Sequence, residues 1–246
     1  LKICMLTPSF FPNFGGAEVQ ALKLSKQLIL KGFNVFFLTI REKGLEKESN
    51  IDGVKVIRLK SKLFYPLIFF INSLTFLVKN RNSYDILHIH TAYSPMIVGA
   101  LVSFFFGKPV IVKIPSRKQI NYLVKSKIRL FMVKHFISRY IAINKEIENK
   151  LIKIGINEEK IIHLPNGVEI NNNYLKKKIN KNKFSVLFIG RLEKIKNISY
   201  LLKNWKKFSD INSHSELLII GDGNEQDNLK NISQDLGLVN KVKFMG

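Results

Sequence analysis

Cysteine is nearly absent: Cys4 is the one such residue among 246. That excludes a disulfide framework and a cysteine-built zinc site. Acidic side chains are scarce, 18 against 40 Lys and Arg, which leaves a net charge of +22. No apolar run reaches the roughly 20 residues that a membrane span requires. The best candidate, residues 63–78, is interrupted by Pro66, Asn72, Ser73 and Thr75. No secretory leader is visible, since Leu1-Lys2-Ile3 runs straight into a strand pattern. The start without Met suggests a piece of a longer product. A three-glycine dinucleotide fingerprint, a Walker lysine motif and a nucleophile elbow are also missing.

What is present describes a globular chain. Hydrophobic residues make up 46%, too many for a disordered polymer despite the charge. Lys outnumbers Arg 33 to 7, so part of the excess is compositional bias. Its placement is more informative. Between Asp85 and Glu146 there are ten basic residues and no acidic one. Such a field attracts nucleotides, anionic lipid headgroups or nucleic acid. Phe69, Phe70 and Phe76 lie near Lys60, Lys62, Lys79 and Arg81 in sequence, a composition that suits a helix resting on a membrane.

Strand and helix patterns alternate along the chain. Buried strands are expected at residues 3–7, 35–40, 54–59, 86–90, 110–114, 140–143 and 161–164. A helix is expected with apolar residues from Val19 to Ile29 and its close at Gly32, others around 63–78, 95–106 and 145–154, and a basic amphipathic stretch over 119–136. The order implies a mostly parallel sheet covered by helices on both faces. Pro165-Asn166-Gly167 breaks the pattern, and residues 171–183 are rich in Asn and Lys. Strand, glycine turn and helix then restart at Val186. The reading is an α/β protein of two domains of one general type: 1–165, a linker 166–184, and 185–246. The second is short for a doubly wound domain and is expected to be incomplete, with an apolar sheet partly uncovered.

Ligands of such sheets bind beyond the carboxyl ends of the strands, which singles out several residues. Gly15-Gly16 lies between the first strand and helix, where a backbone can approach an anion; taken by itself it reads first as an ordinary turn. His88 and His90 end a buried strand. Their imidazoles are expected to diverge to opposite faces, so that one alone reaches the cleft as a base or hydrogen-bond donor. Gly190-Arg191 with Lys196 offers two cations beside a glycine turn, fit for a diphosphate or for solvent. Gly221-Asp222-Gly223 closes the next strand; Asp222 has no nearby second carboxylate to make a metal site.

Taken together, these segments resemble the retaining glycosyltransferases of family 4, which have the two-Rossmann GT-B architecture. The resemblance covers nearly the whole chain. It rests on Pro12-Asn13-Phe14-Gly15-Gly16-Ala17-Glu18, on Tyr84-Asp85-Ile86-Leu87-His88-Ile89-His90, and on Lys160 to Glu169 with its Leu164-Pro165-Asn166-Gly167. It continues through Gly190-Arg191-Leu192 with Lys196-Asn197, where the family usually has Lys-Gly, and through Leu218 to Gly223.

The resemblance implies transfer of a hexose-type sugar from a nucleoside-diphosphate sugar, with retention, to a lipid-linked or envelope polysaccharide acceptor. It places Gly15 and Gly16 at the donor phosphates and His90, as the catalytic histidine, near the transferred sugar. Arg191 and Lys196 fall against the diphosphate; Glu18, Gly190, Gly221 and Asp222 are further cleft candidates. No metal and no other cofactor is implied. The family's pair of glutamates eight positions apart does not occur within the 246 residues, so this piece alone is expected to have little or no activity. Lys113-Ile114-Pro115-Ser116 replaces a stretch that more often contains histidine. Residues 1–165, with 26 basic and 10 acidic side chains, suit an acceptor at an anionic membrane surface. The location implied is cytoplasmic, with peripheral association on the inner face of the membrane left open. Nucleic acid is not the expected partner, because no reader motif is present. A sugar-nucleotide epimerase of GT-B fold and a non-catalytic sugar- or nucleotide-binding remnant are the alternatives.

Overall fold

A computed structural model describes residues 1–12, 15–60, 65–91, 93–168 and 184–246. The chain divides into two compact units, Leu1–Glu169 and Ile170–Gly246. Most of the stretch read as a linker, residues 169–183, lies outside the described residues, as do Asn13, Phe14 and Lys62.

The first unit is built on strands β1 (Lys2–Leu6), β2 (Asn34–Arg41), β3 (Glu48–Ile51), β4 (Val54–Lys60), β5 (Ile86–Ile89), β6 (Val110–Ile114), β7 (Arg139–Ala142) and β8 (Ile161–His163). They form one sheet in the order β3-β4-β2-β1-β5-β6-β7-β8. Every pair is parallel except β3 with β4. Strand order reverses at β1, with β2 on one side and β5 on the other. The carboxyl ends of β1 and β5 are therefore the switch point at which such sheets hold ligands.

Alternation along the strands creates two cores. Cys4, Leu6, Phe36, Leu38, Leu87, Ile89, Val112 and Tyr140 face a large cluster. It is completed by α2 (Tyr65–Lys79), α3 (Ser94–Phe106), α4 (Arg117–Val124), α5 (Lys127–Phe136) and α6 (Lys145–Lys153). Ile3, Met5, Val35 and Phe37 face the other side, where α1 (Gly16–Leu30) packs through Ala21 and Leu22. Each buried side chain of this size contributes about 1.5–3 kcal/mol relative to exposure. Helix α3 approaches the sheet closely at Gly99, where a Cβ would come within 2.5 Å of Ile89 Cδ1 and 2.9 Å of Val110 Cγ1.

The second unit has strands β9 (Phe184–Ile189), β10 (Ser215–Ile220) and β11 (Val242–Phe244), parallel in the order β11-β10-β9. Helices α7 (Ile198–Ile211) and α8 (Gln226–Asp235) cover one face through Leu202, Trp205 and Leu229. Leu187 and Ile189, on the other face, are 52% and 69% exposed.

The structure revises several expectations. Strand β3 is polar (Glu-Ser-Asn-Ile) and carries no apolar run; it pairs antiparallel with β4 across the Asp52-Gly53 turn. The basic stretch 119–136 is two helices, because the Ser126 hydroxyl caps α5 by accepting from the Arg129 N–H. β9 takes in Phe184, placed in the linker by sequence. Phe69 is buried and Phe70 and Phe76 are packed against the core, so these three do not form an outward apolar face. Among the described residues, no helix is long and apolar enough to cross a membrane.

Candidate functional site

The β1–α1 loop stands over the switch point. Gly15 caps α1 in an extended conformation, and its N–H donates to Glu18 Oε2 at 2.8 Å. Glu18 thus serves the helix terminus as the returning half of a capping box. A Cβ at Gly16 would meet nothing within 4 Å. The chain's own packing therefore does not require glycine there, and the space over the helix N-terminus is open to a ligand. The loop is anchored from beneath. Phe10 stacks on Phe37 at 4.0 Å between centroids. The buried Arg58 of β4 donates to the Phe11 carbonyl at 3.3 Å and to Ser49 Oγ at 2.7 Å.

His88 and His90 do not diverge. Their ring centroids are 4.4 Å apart, because residues two apart on a strand share a face. Both are buried, His90 with Nε2 3.3 Å from Met5 Sδ. Lys113 of β6 lies on the same side, its Nζ donating to Gln20 Oε1 and Asn166 Oδ1, each at 2.6 Å. Three basic groups thus share one low-dielectric region. Burial, helped by Lys113, lowers the His88 pKa to about 4. Burial, with His88 and Lys113 as neighbours, holds His90 well below its ordinary value. Burial lowers Lys113 to about 8. Both imidazoles are neutral at pH 7, each able to donate one hydrogen bond and accept another. His88 Nε2 has no partner among the described residues.

A pH dependence follows. The ordinary His pKa is 6.5 and the folded value for His88 is about 4. The unfolded chain binds more protons between those values, so the His88 contribution to stability grows as pH increases from about 4 to about 6.5 and is constant above. The expected gain is about 3 kcal/mol from His88 alone. Urea unfolding midpoints across that range measure it. His88→Asn should reduce the rise, leaving the part that the likewise depressed His90 contributes; an unchanged slope would contradict the assignment.

Sequence reasoning named Lys113 in the stretch Lys113-Ile114-Pro115-Ser116 and Asn166 in the break at 165–167, but did not group them with the histidines, and it gave Gln20 no role. The available signal was a lysine inside the apolar run Val110-Ile111-Val112-Lys113-Ile114. His88 and Lys113, with Gln20, Lys23, Leu164 and Pro165, line a cavity of about 470 Å³ beside α1. His90 does not line it.

In the second unit, both glycine turns lie at the carboxyl edge of the sheet. Gly221, at φ +133°, has a virtual Cβ only 2.1 Å from the Gly190 carbonyl oxygen. The virtual Cβ of Gly223 is 2.3 Å from the Leu192 carbonyl oxygen. The backbones are laced by Gly190 N–H to Ile220 O, Leu192 N–H to Asp222 O and Glu225 N–H to Leu192 O, at 2.8–3.0 Å. Asp222 is thus held through its backbone.

Arg191 is exposed and pairs with Glu193 Oε1 at 2.7 Å. Lys196 is exposed in the single 3₁₀ turn Lys194–Lys196, and its N–H donates to the Glu193 carbonyl at 2.8 Å. Both cations therefore belong to one short connection leading into α7. Asn197 follows in the left-handed region, at φ 51°. That explains the departure from Lys-Gly: Asn is among the few non-glycine residues that adopt this conformation readily. Among the described residues, no group of three or more His, Cys, Asp or Glu could hold a metal ion.

Comparison with known proteins matches residues 14–172 to the model of Glycosyltransferase Family 4. Residues 170–246 match Glycosyl transferases group 1. An uncharacterised glycosyltransferase of Methanocaldococcus jannaschii is 25% identical, over 100% of this chain and 69% of its own length. The alpha-monoglucosyldiacylglycerol synthase of Streptococcus pneumoniae is 22% identical, over 100% and 61%. An uncharacterised glycosyltransferase of Haemophilus influenzae is 27% identical, over 94% and 65%. The chain thus spans between 61% and 69% of the length of these relatives. Among solved structures, Anabaena HepE in complex with UDP superimposes with a TM-score of 0.76 at 22% identity, covering 100% of this chain and 69% of HepE. The lipopolysaccharide outer core galactosyltransferase WaaB follows at 0.69 and 18% identity, covering 100% of this chain and 68% of WaaB. These likenesses show the GT-B fold.

Proposed function

Since the chain belongs to glycosyltransferase family 4, we propose that the whole protein transfers a hexose-type sugar from a nucleoside-diphosphate sugar to a lipid-linked or envelope polysaccharide acceptor. The transfer retains configuration at the anomeric carbon. The observation that carries the donor half is the connection of residues 190–197. It sets Arg191 and Lys196 in solvent at the carboxyl edge of a parallel sheet, above interlocked glycine turns. HepE was solved with UDP-glucose, and the pneumococcal relative is named for a glucosylated diacylglycerol; both support the reading.

The chemistry follows from charge. As the glycosidic bond to the diphosphate breaks, negative charge grows on the leaving oxygen. A guanidinium fork and an ammonium placed there stabilise that charge more in the transition state than in the ground state. The two cations do this without a divalent metal. In the first unit, the open space at Gly16 admits donor phosphate or acceptor. His90, neutral at working pH, offers a hydrogen bond to a sugar hydroxyl.

The test is donor turnover by the whole protein with a panel of nucleoside-diphosphate hexoses and membrane lipid extract, with chelator present. The product linkage is read by proton NMR. The expected product keeps the donor's anomeric configuration. A modified free donor formed without acceptor would point to an epimerase instead. Donor binding with no turnover would point to a binding-only protein.

A further inference from the structure

We propose that the outer face of α2, α3 and α5 is a docking surface for an anionic lipid bilayer. The three helices lie side by side on one face of the first unit's sheet, with α3 packed between the other two. Their inward residues, among them Phe69, Leu77, Val98, Val102 and Val133, already fill the core. A second apolar set points outward. Leu67 and Ile71 of α2, Phe104 and Phe105 of α3, and Ile128 and Phe131 of α5 are each at least half exposed. An aromatic contact joins α3 to α5. Phe104 meets Phe105 and, on α5, Phe136, both at 4.8 Å between centroids, and Phe131 meets His135 at 4.2 Å. Large apolar patches of this kind mark interaction sites rather than ordinary surface.

Charge identifies the occupant. Helices α2, α3 and α5 contain no Asp or Glu at all, while Lys79, Lys127, Arg129 and Lys134 lie on them. A carboxylate-free face with exposed Phe, Ile and Leu combines the two forces that hold a protein on an anionic membrane: apolar burial and attraction to headgroups. A second copy of the chain would bring two strongly cationic faces together. A nucleic acid would engage the lysines but leave Leu67, Ile71 and Ile128 in water. Since none of these helices is long and apolar enough to cross, the surface rests in the interface. The proposal deepens the lipid-acceptor reading by naming where the membrane sits, but its test needs neither donor nor acceptor.

The 246-residue chain is sedimented with vesicles of pure phosphatidylcholine and with vesicles of one part phosphatidylglycerol to two parts phosphatidylcholine. Binding is expected on the anionic vesicles and should weaken with added salt. Phe105→Ser with Phe131→Ser should weaken it about tenfold or more. Lys127→Ala should weaken it about fivefold, on anionic vesicles only. Both Phe positions are solvent-facing, so thermal melting should match the parent and separates lost docking from lost fold. Failure to sediment with anionic vesicles, equal affinity for both vesicles, or full binding by the double Phe variant would overturn the proposal. So would a concentration-dependent dimer that the same Phe substitutions dissolve, which would assign the face to self-association.

Discussion

Arg191→Ala is expected to lower kcat/KM of the whole protein about 10²–10³-fold while leaving its unfolding midpoint unchanged. Stability should not move because the Arg191 side chain is exposed and its ion pair with Glu193 is a surface pair; such pairs contribute little. The rate should move because removing one preorganised donor aimed at developing charge typically costs that factor. Arg191→Lys should recover part of it: the charge remains, but the planar two-pronged fork is lost. Lys196→Ala should lose activity in the same direction, since its ammonium acts as a point charge on the same leaving group. Steady-state kinetics on a chosen donor measure all three. An Arg191→Ala enzyme with parental kcat/KM would remove the diphosphate role and the observation on which the donor assignment stands.

The second large effect concerns stability. Gly221→Ala is expected to cost roughly 3 kcal/mol or more in the second unit. Two independent penalties coincide. The backbone at φ +133° is a conformation that side chains rarely adopt, and the new Cβ would lie 2.1 Å from a carbonyl oxygen. That oxygen is backbone, in the laced turn after β9, and cannot step aside as a flexible side chain could. Guanidinium unfolding followed by the fluorescence of Trp205, which packs in this unit's core, reads the loss. Gly16→Ala, in the first unit, is the comparison variant: nothing within 4 Å would meet its Cβ, so its thermal unfolding, followed by far-UV circular dichroism rather than Trp205, should match the parent. Equal stability of the two variants would show that the close approach at Gly221 carries no energetic weight.

Much of the fold is legible in the sequence because its strands are nearly continuous apolar runs. Ile3 to Leu6, Val35 to Ile40 and Val110 to Ile114 are buried on both faces of a parallel sheet, and burial on both sides leaves an apolar signature. β3 lacks that signature, because an edge strand held by one antiparallel neighbour buries little. The break between α4 and α5 is invisible to periodicity, since a Ser cap interrupts a helix without disturbing its apolar spacing. At the site, glycine spacing marks the loops, but the reason for each glycine is spatial. Gly221 and Gly223 are set by the backbone of a segment some way earlier in the chain, at Gly190 and Leu192, and Gly16 by open space. The grouping of His88, His90 and Lys113 was within reach. Strand parity puts the two imidazoles on one face, and the lysine sits on the neighbouring strand.

The interlocked turns of the second unit have a consequence for recombination between relatives. Residues 190–192 and 221–225 are templates for each other: each supplies the carbonyls and the clearance that fix the other's course. A chimera that imports one segment without its counterpart brings a foreign contour against a native one, and the mismatch falls on main-chain atoms. The two segments should therefore be transplanted as a pair. Arg191 and Lys196, whose side chains stand clear of that contact, can be exchanged singly without disturbing the frame beneath them.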